Sequence, residues 1–265
     1  MKYEAKKEQD KEQIRTLVCE VRKKLPAVGT RKIYKLISEE FVLKDIKCGR
    51  DMLFKYMREF RLMIKPKKRY VQTTFSKHWM RKYPNIFKDI KVTEPEQVWV
   101  SDITYIKTNK GNNYLTLITD AYSRKIVGYN VSESMSATEC AKALKMAVKS
   151  RLYPENTIIH HSDRGLQYCS KEYVQLANKA KITMSMTESS SPYDNALAER
   201  MNRTLKEEFN LYYTLKDTNQ AKQVVKESIE LYNSYRPHLA LDFYVPNDIH
   251  KNPHLLRANE DYLVI

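Results

Sequence analysis

The stretch that decides the fold is Val98-Trp99-Val100-Ser101-Asp102-Ile103-Thr104-Tyr105-Ile106. Its β-branched and aromatic residues predict a strand, and Asp102 stands in the middle of it. A carboxylate inside so apolar a strand is costly unless a partner or a cation compensates it. Working outward, residues 114–119 and 125–131 also read as strands. Turn signals at Lys110-Gly111-Asn112-Asn113 and at Tyr122-Ser123-Arg124 separate the three, which predicts an antiparallel meander. A helical period follows at residues 137–151, with Cys140, Ala143, Leu144, Ala147 and Val148 on one side. A strand at 157–161, a helix at 171–181, a strand at 183–187 and helices at 194–209 and 219–235 complete the series. The order β-β-β-α-β-α-β-α predicts an α/β fold with a mixed five-stranded sheet flanked by helices.

Before this unit the texture is helical. Residues 8–25 place Ile14, Leu17, Val18, Val21 and Leu25 on one face, and Pro26 and Gly29 break the helix. A second helix starts at Thr30, taken as its N-cap, with Ile33, Leu36, Ile37 and Phe41 inward. A third covers residues 50–60, with Leu53, Tyr56, Met57 and Phe60 inward. Arg31, Lys32, Lys35, Arg50, Lys55 and Arg58 fall on the outer faces, the pattern of a small all-helical helix-turn-helix unit. The chain carries a formal charge of +15, and residues 1–95 hold 26 Lys+Arg against 12 Asp+Glu, while residues 96–265 hold 21 against 20. A basic module joined to a near-neutral one points to a polyanion binder attached to something else. The expected organisation is a helix-turn-helix-like DNA-binding domain at 1–64, a basic linker at 65–96 and an α/β catalytic core at 97–212, followed by a C-terminal helix and tail at 213–265. The linker holds Lys65-Pro66-Lys67-Lys68-Arg69 and a short helix around 77–82.

Other classes drop out. Cys19, Cys48, Cys140 and Cys169 lack the spacing of a zinc knuckle and read as thiols of a reducing compartment. No apolar stretch is long enough for a membrane span and no basic segment has a strong apolar face, so no membrane partner is expected. The N-terminus has no apolar signal core, and an unexported, cytoplasmic protein is the expectation.

The acids carry the chemistry. Asp163 falls just past the fourth strand and Glu199 lies on a helix. If the first and fourth strands are neighbours, Asp102 and Asp163 come side by side, and the helix brings Glu199 over the same edge. Three carboxylates held close repel one another, and a hard dication removes that penalty. Oxygen-only ligands favour Mg²⁺ or Mn²⁺, and two such ions roughly 3.5–4 Å apart suit phosphodiester chemistry. Glu199, Asn202, Arg203 and Lys206 share one helix face by spacing, with Met201 and Leu205 turned to the core. That polar stripe either grips DNA or is a solvated face with internal ion pairs, and for Arg203 spacing alone favours the second. Asp120 is read as organising its turn with Ser123 and Arg124. His160 and His161 point to opposite faces, so at most one meets the site, and a structural role, or one supporting the site residues from behind, is the reading. Gly165 is read as supplying a backbone conformation that other residues resist, and Trp99 as core. Arg236 and His238 have no place relative to the site.

These segments resemble the retroviral-integrase-like transposases with a ribonuclease H-like core. Thirty-five residues separate Asp163 from Glu199, as in that family, and Lys206 follows Glu199 by seven. Asp163-Arg164-Gly165-Leu166-Gln167-Tyr168 resembles the family's loop after the second acid. Ser191-Pro192-Tyr193-Asp194-Asn195-Ala196 resembles the lead into its glutamate helix, and Tyr232-Asn233 with Arg236-Pro237-His238 resembles its ending. The resemblance spans about residues 10–250. It implies Asp102, Asp163 and Glu199 as catalytic metal ligands and tips Lys206 toward DNA contact. It further implies recognition of terminal inverted repeats and target DNA, and self-assembly into a dimer or higher on paired ends. A bacterial, nucleoid-associated protein is implied as well. The nearest pattern is the second-frame (B) product of a bacterial insertion sequence, whose A-frame partner or fusion adds a further DNA-binding domain and a leucine zipper. Neither is visible here. Nor is the zinc domain of retroviral integrases, since His78 is the sole histidine in the first 95 residues. A binding-only regulator and a purely hydrolytic nuclease are the competing readings.

Overall fold

The computed structural model describes residues 2–64, 80–188 and 195–256. Helices α1 (Lys2–Lys24), α2 (Thr30–Leu43) and α3 (Arg50–Glu59) form the basic N-terminal unit. Ile14, Val18, Val21, Leu25, Ile33, Ile37, Phe41, Leu53 and Met57 are buried between them, the faces the three-four spacing marks. Gly29, extended at φ −70° and ψ 153°, is the N-cap of α2. Thr30 is therefore the first helical residue and not the cap, and its side chain is buried. Lys32 is a second correction. It does not stand on the outer face: its side chain is 12% exposed and turned toward Glu208. Arg31, Lys35, Arg50, Lys55 and Arg58 are exposed.

The α/β unit consists of β1 (Val98–Thr108), β2 (Gly111–Asp120), β3 (Ile126–Ser132), α4 (Ala137–Lys149), β4 (Ile158–Ser162), α5 (Leu166–Cys169), α6 (Lys171–Lys179), β5 (Ile182–Met186), α7 (Ala196–Glu208) and α8 (Thr218–Ser234). The five strands lie in the order β3-β2-β1-β4-β5, with the meander antiparallel and β4 and β5 parallel to the central β1. The first hairpin is tighter than the turn signal suggested. Thr108 pairs with Gly111, so only Asn109 and Lys110 form the loop, and Gly111 takes φ +118°, a conformation open to glycine. Asp120 organises the second turn as expected: its Oδ1 accepts from the Ser123 N–H and hydroxyl, both at 2.8 Å, and its Oδ2 from the Glu96 N–H at 2.7 Å.

The sheet has two covered faces. Trp99 is buried with Ile118, Cys140, Leu144, Tyr168 and Tyr173 under α4 to α6. Val98 and Val100 point the other way, against Leu197 and Ala198 of α7. Alternation puts Asp102 on that second face. At Gly128 a Cβ would run into the Ala143 carbonyl and stand 2.9 Å from Ala147 Cβ, so α4 lies directly on β3. One buried cluster then runs without a break from α1 to α3 through Ile106, Leu115, Leu205 and Phe209 to Tyr232 of α8.

Residues 80–96 pass beside β5, where Met186 N–H donates to the Pro84 carbonyl at 3.3 Å. Met80, Arg81 and Lys82 are not helical, and residues 77–79 of the short helix expected there lie outside the described residues, as do Lys65 to Arg69 and Ser191 to Asp194. A last helix, α9 (Pro246–Lys251), was not read from the sequence. All four cysteines are free thiols. Among the described residues no helix is long and apolar enough to cross a membrane.

Candidate active site

β1 and β4 run parallel with Ser101 opposite Ser162, so Asp102 and Asp163 are the next residues along two adjacent strands. Parallel neighbours lie about 4.8 Å apart, which sets the two carboxylates on one edge of the sheet. Asp102 accepts from its following N–H, Ile103, on Oδ1 at 2.9 Å, and from Asn202 Nδ2 on Oδ2 at 2.8 Å. Asp163 accepts from the Gly165 N–H on Oδ1 at 3.0 Å. Burial, and then the charge of Asp163, push the Asp102 carboxyl up to about 7, against the hydrogen bonds of Asn202 and Ile103; Glu199 adds to the rise. Burial and Asp163 raise Glu199 as well. The three acids thus share one electrostatic environment. Among the described residues no three His, Cys, Asp or Glu side chains form a ready-made metal cage.

Helix α7 supplies the third wall. Asn195 caps its start and donates from Nδ2 to the Ser101 carbonyl at 3.1 Å, which docks the helix beside Asp102. The stripe of Glu199, Asn202, Arg203 and Lys206 divides in two. Asn202 and Lys206 are buried against β1, while Glu199 and Arg203 are exposed. Lys206 Nζ lies 4.3 Å from the centre of the Tyr105 ring. Its burial pulls the ammonium down to about 8 while Asp102 pulls the other way. Arg203 pairs with Glu207 at 3.0 Å, the internal ion pair that spacing favoured.

His160 and His161 are both fully buried and both hydrogen-bonded to neighbouring side chains. His160 Nε2 is 2.9 Å from the Tyr173 hydroxyl and His161 Nδ1 is 2.9 Å from the Ser185 hydroxyl. Burial, with His161 alongside, holds His160 down at about 3, so it is neutral. Gly165 corrects another expectation. Its φ of −63° and ψ of 142° are open to any residue. What it provides is space: a Cβ there would stand 3.0 Å from Asp163 Oδ1 and 2.9 Å from Gln167 Oε1. Sequence reasoning also missed Glu208, which joins Lys32 to Arg236. No local signal marks it, since its partners lie on other elements.

Residues 92–192 match the family described as Integrase core domain, and residues 180–246 match a second family of the same description. The 31 kDa protein of insertion element IS600 from Shigella sonnei is 36% identical over 232 residues, covering 87% of this chain and 84% of that protein. The chain belongs to the DDE transposases of insertion sequences. The transposase for insertion sequence element IS904 of Lactococcus lactis is also similar, 35% identical over 182 residues that cover 66% of this chain and 72% of that one. Among solved structures, a chain of a simian T-cell lymphotropic virus intasome in complex with PP2A regulatory subunit B56 gamma superposes with a TM-score of 0.53 at 16% identity, over 83% of this chain and 75% of that one, and shares the ribonuclease H-like fold. This transposase is a polynucleotidyl transferase that acts on DNA, and its function is transposition.

Proposed function

We propose that Asp102, Asp163 and Glu199 are the catalytic acids and together hold Mg²⁺ or Mn²⁺ as a pair of ions. The observation that carries this is the state of Asp102. Its carboxyl is driven up by burial and by Asp163, while the buried Asn202 Oδ1 beside it has no hydrogen-bond partner among the described residues. An all-oxygen donor set with an excess of negative charge suits a hard dication and disfavours a soft one. When bound, such ions activate an attacking oxygen and stabilise a leaving one in phosphodiester displacement.

The chain's own residues do the rest. Asn202 orients Asp102, and the Gly165 N–H orients Asp163. Water attacks the phosphodiester at the element's end, leaving a 5′-phosphate on one side and freeing a 3′-hydroxyl on the other; that hydroxyl attacks a second phosphodiester in target DNA or in the same element, and the P–O bond to that strand's 3′-oxygen breaks to release a new 3′-hydroxyl. The acids remain metal ligands, so no covalent protein intermediate forms. Lys206 and Arg203 neutralise phosphate near the reacting bond, and Arg31, Lys35, Arg50 and Lys55 hold the flanking duplex at the terminal repeats. Paired ends call for two or more protomers, and a second-frame product works with an A-frame partner or fusion.

The test uses labelled element ends with Mg²⁺. Asp102→Asn, Asp163→Asn and Glu199→Gln should each lower both cleavage and joining by a factor on the order of 10³, with end binding retained. Full strand transfer by Glu199→Gln would falsify the triad.

A further inference from the structure

The proposed chemistry leaves Tyr232, Asn233, Arg236 and His238 without a task. Asn233 accepts the Ile126 N–H on Oδ1 and donates from Nδ2 to the Ile126 carbonyl, both at 2.9 Å, so its amide stands in for a strand beside the start of β3. Tyr232 donates to the Arg124 carbonyl at 3.0 Å. Arg236 then reaches the last residue of α7: Nε donates to Glu208 Oε2 at 2.8 Å and Nη2 to Oε1 at 2.7 Å. From the other side Lys32 Nζ meets the same Oε1 at 3.1 Å. The Glu208 carbonyl accepts the Ala27 N–H at 3.2 Å. His238, held neutral by burial and by Arg236, receives Arg236 Nη1 on Nε2 at 2.8 Å. The side chains of Arg236, Lys32 and Glu208 are only 6, 12 and 17% exposed. A forked guanidinium on a carboxylate is geometrically specific, and in so little solvent it tolerates little displacement.

Among the described residues, polar ties hold α7 at its start, its middle and its end. Asn195 holds its start to β1, Asn202 holds its middle to Asp102, and Glu208 holds its end. The last tie brings together α2, α7 and the segment after α8. Glu199 lies nine residues before Glu208, roughly 14 Å along a rigid helix, so a shift of the helix end is passed to the acid.

We propose that Glu208, held between Arg236 and Lys32, is a positioning residue: this clasp fixes where α7 lies on the sheet, and through α7 where Glu199 stands against Asp102 and Asp163. The proposal rests on the reading of Glu199 as a catalytic acid. It makes the N-terminal helical unit a structural member of the catalytic machinery and removes Lys32 from the residues that meet DNA.

Lys32→Met tests it in the full chain, because the Glu208–Arg236 pair that remains is neutral. With Mg²⁺ and saturating element-end DNA, turnover should fall about tenfold, while DNA affinity changes less than about twofold. Lys32→Arg should restore most of the turnover. Amide hydrogen exchange should quicken in α7 and stay unchanged in β4 and β5. Arg236→Lys, which trades the fork for a single hydrogen bond, should move both readouts the same way. Should Lys32→Met instead weaken DNA binding and its salt dependence, with turnover at saturation and α7 exchange intact, Lys32 is a DNA-binding residue and the proposal fails. Unchanged turnover overturns it too, even with faster α7 exchange, since the clasp is then only a stabilising interaction. Glu199→Gln in parallel separates the two readings. If that variant keeps strand transfer, the acid's role is lost, and α7 exchange in Lys32→Met still reports whether the clasp holds the helix.

Discussion

Asp102 and Gly165 show what a single residue does at this edge of the sheet. Asp102 was legible in the sequence because a carboxylate in an apolar strand needs a reason. Gly165 was legible as a position but not in its cause, because crowding depends on where Asp163 and Gln167 fold to. Gln167 can swing aside; the Asp163 carboxylate, bonded to the Gly165 N–H, cannot move without leaving its place. Gly165→Ala should therefore lower turnover by about tenfold to a hundredfold through displacement of Asp163. Its backbone is already in an ordinary region, so the change in stability should stay within roughly 1 kcal/mol. Turnover and thermal melting measured together decide this. A large melting shift with turnover intact would assign the glycine to loop packing.

At the scale of elements, the strands and long helices followed from periodicity, while α9 did not. It is six residues long, and it is held by Ile249 in the apolar cluster under β1 and by His250 in a buried charge cluster contributed by distant segments. Glu96 accepts from Arg151 Nε at 3.1 Å and from the Leu152 N–H at 2.7 Å, and lies 3.4 Å from His250 Nε2. His250 Nδ1 is 2.9 Å from the Ser123 hydroxyl that Asp120 binds. Burial alone would raise Glu96, but His250, the Leu152 N–H and Arg151 outweigh it and hold the carboxyl at about 2. Burial alone would lower His250, and Asp120 and Glu96 outweigh it and raise the imidazole. The raised imidazole contributes stability that is complete below its unfolded value near 6.5 and is lost as pH climbs through the folded value. The depressed carboxyl contributes stability above pH 4.5 that is lost as pH falls from there toward 2. Denaturant unfolding from pH 6 to 9 should accordingly show a decline that His250→Gln flattens. An unchanged slope in that variant would mean the α9 cluster does not titrate with folding.

The whole molecule shows where sequence reasoning stops. Net charge located the basic unit, and the i, i+3, i+4 pattern found its helices. What periodicity could not tell is that Lys32 leaves that surface for an acid 176 residues away, since the pairing exists only after α2 and α7 meet. Nor could it tell that a single buried cluster joins the basic helices to α7 and α8. Deleting the helical unit would expose that cluster, so its part in DNA binding has to be tested on an intact fold. Arg31, Lys35, Arg50 and Lys55 are exposed, and replacing all four by Gln leaves the packing untouched. Each phosphate that loses its cationic side chain changes the slope of log affinity against log salt by about 0.9, so the fourfold variant should flatten it by roughly 3 to 4. Affinity at low salt should fall steeply, whereas turnover on saturating DNA should survive, because the clasp and the acids are intact. Binding isotherms for the full chain on element-end duplex across a salt series, with turnover at saturation alongside, measure both quantities. A slope unchanged in the fourfold variant would mean that DNA does not lie on this face, and the basic unit would then serve the enzyme only as the buttress of α7.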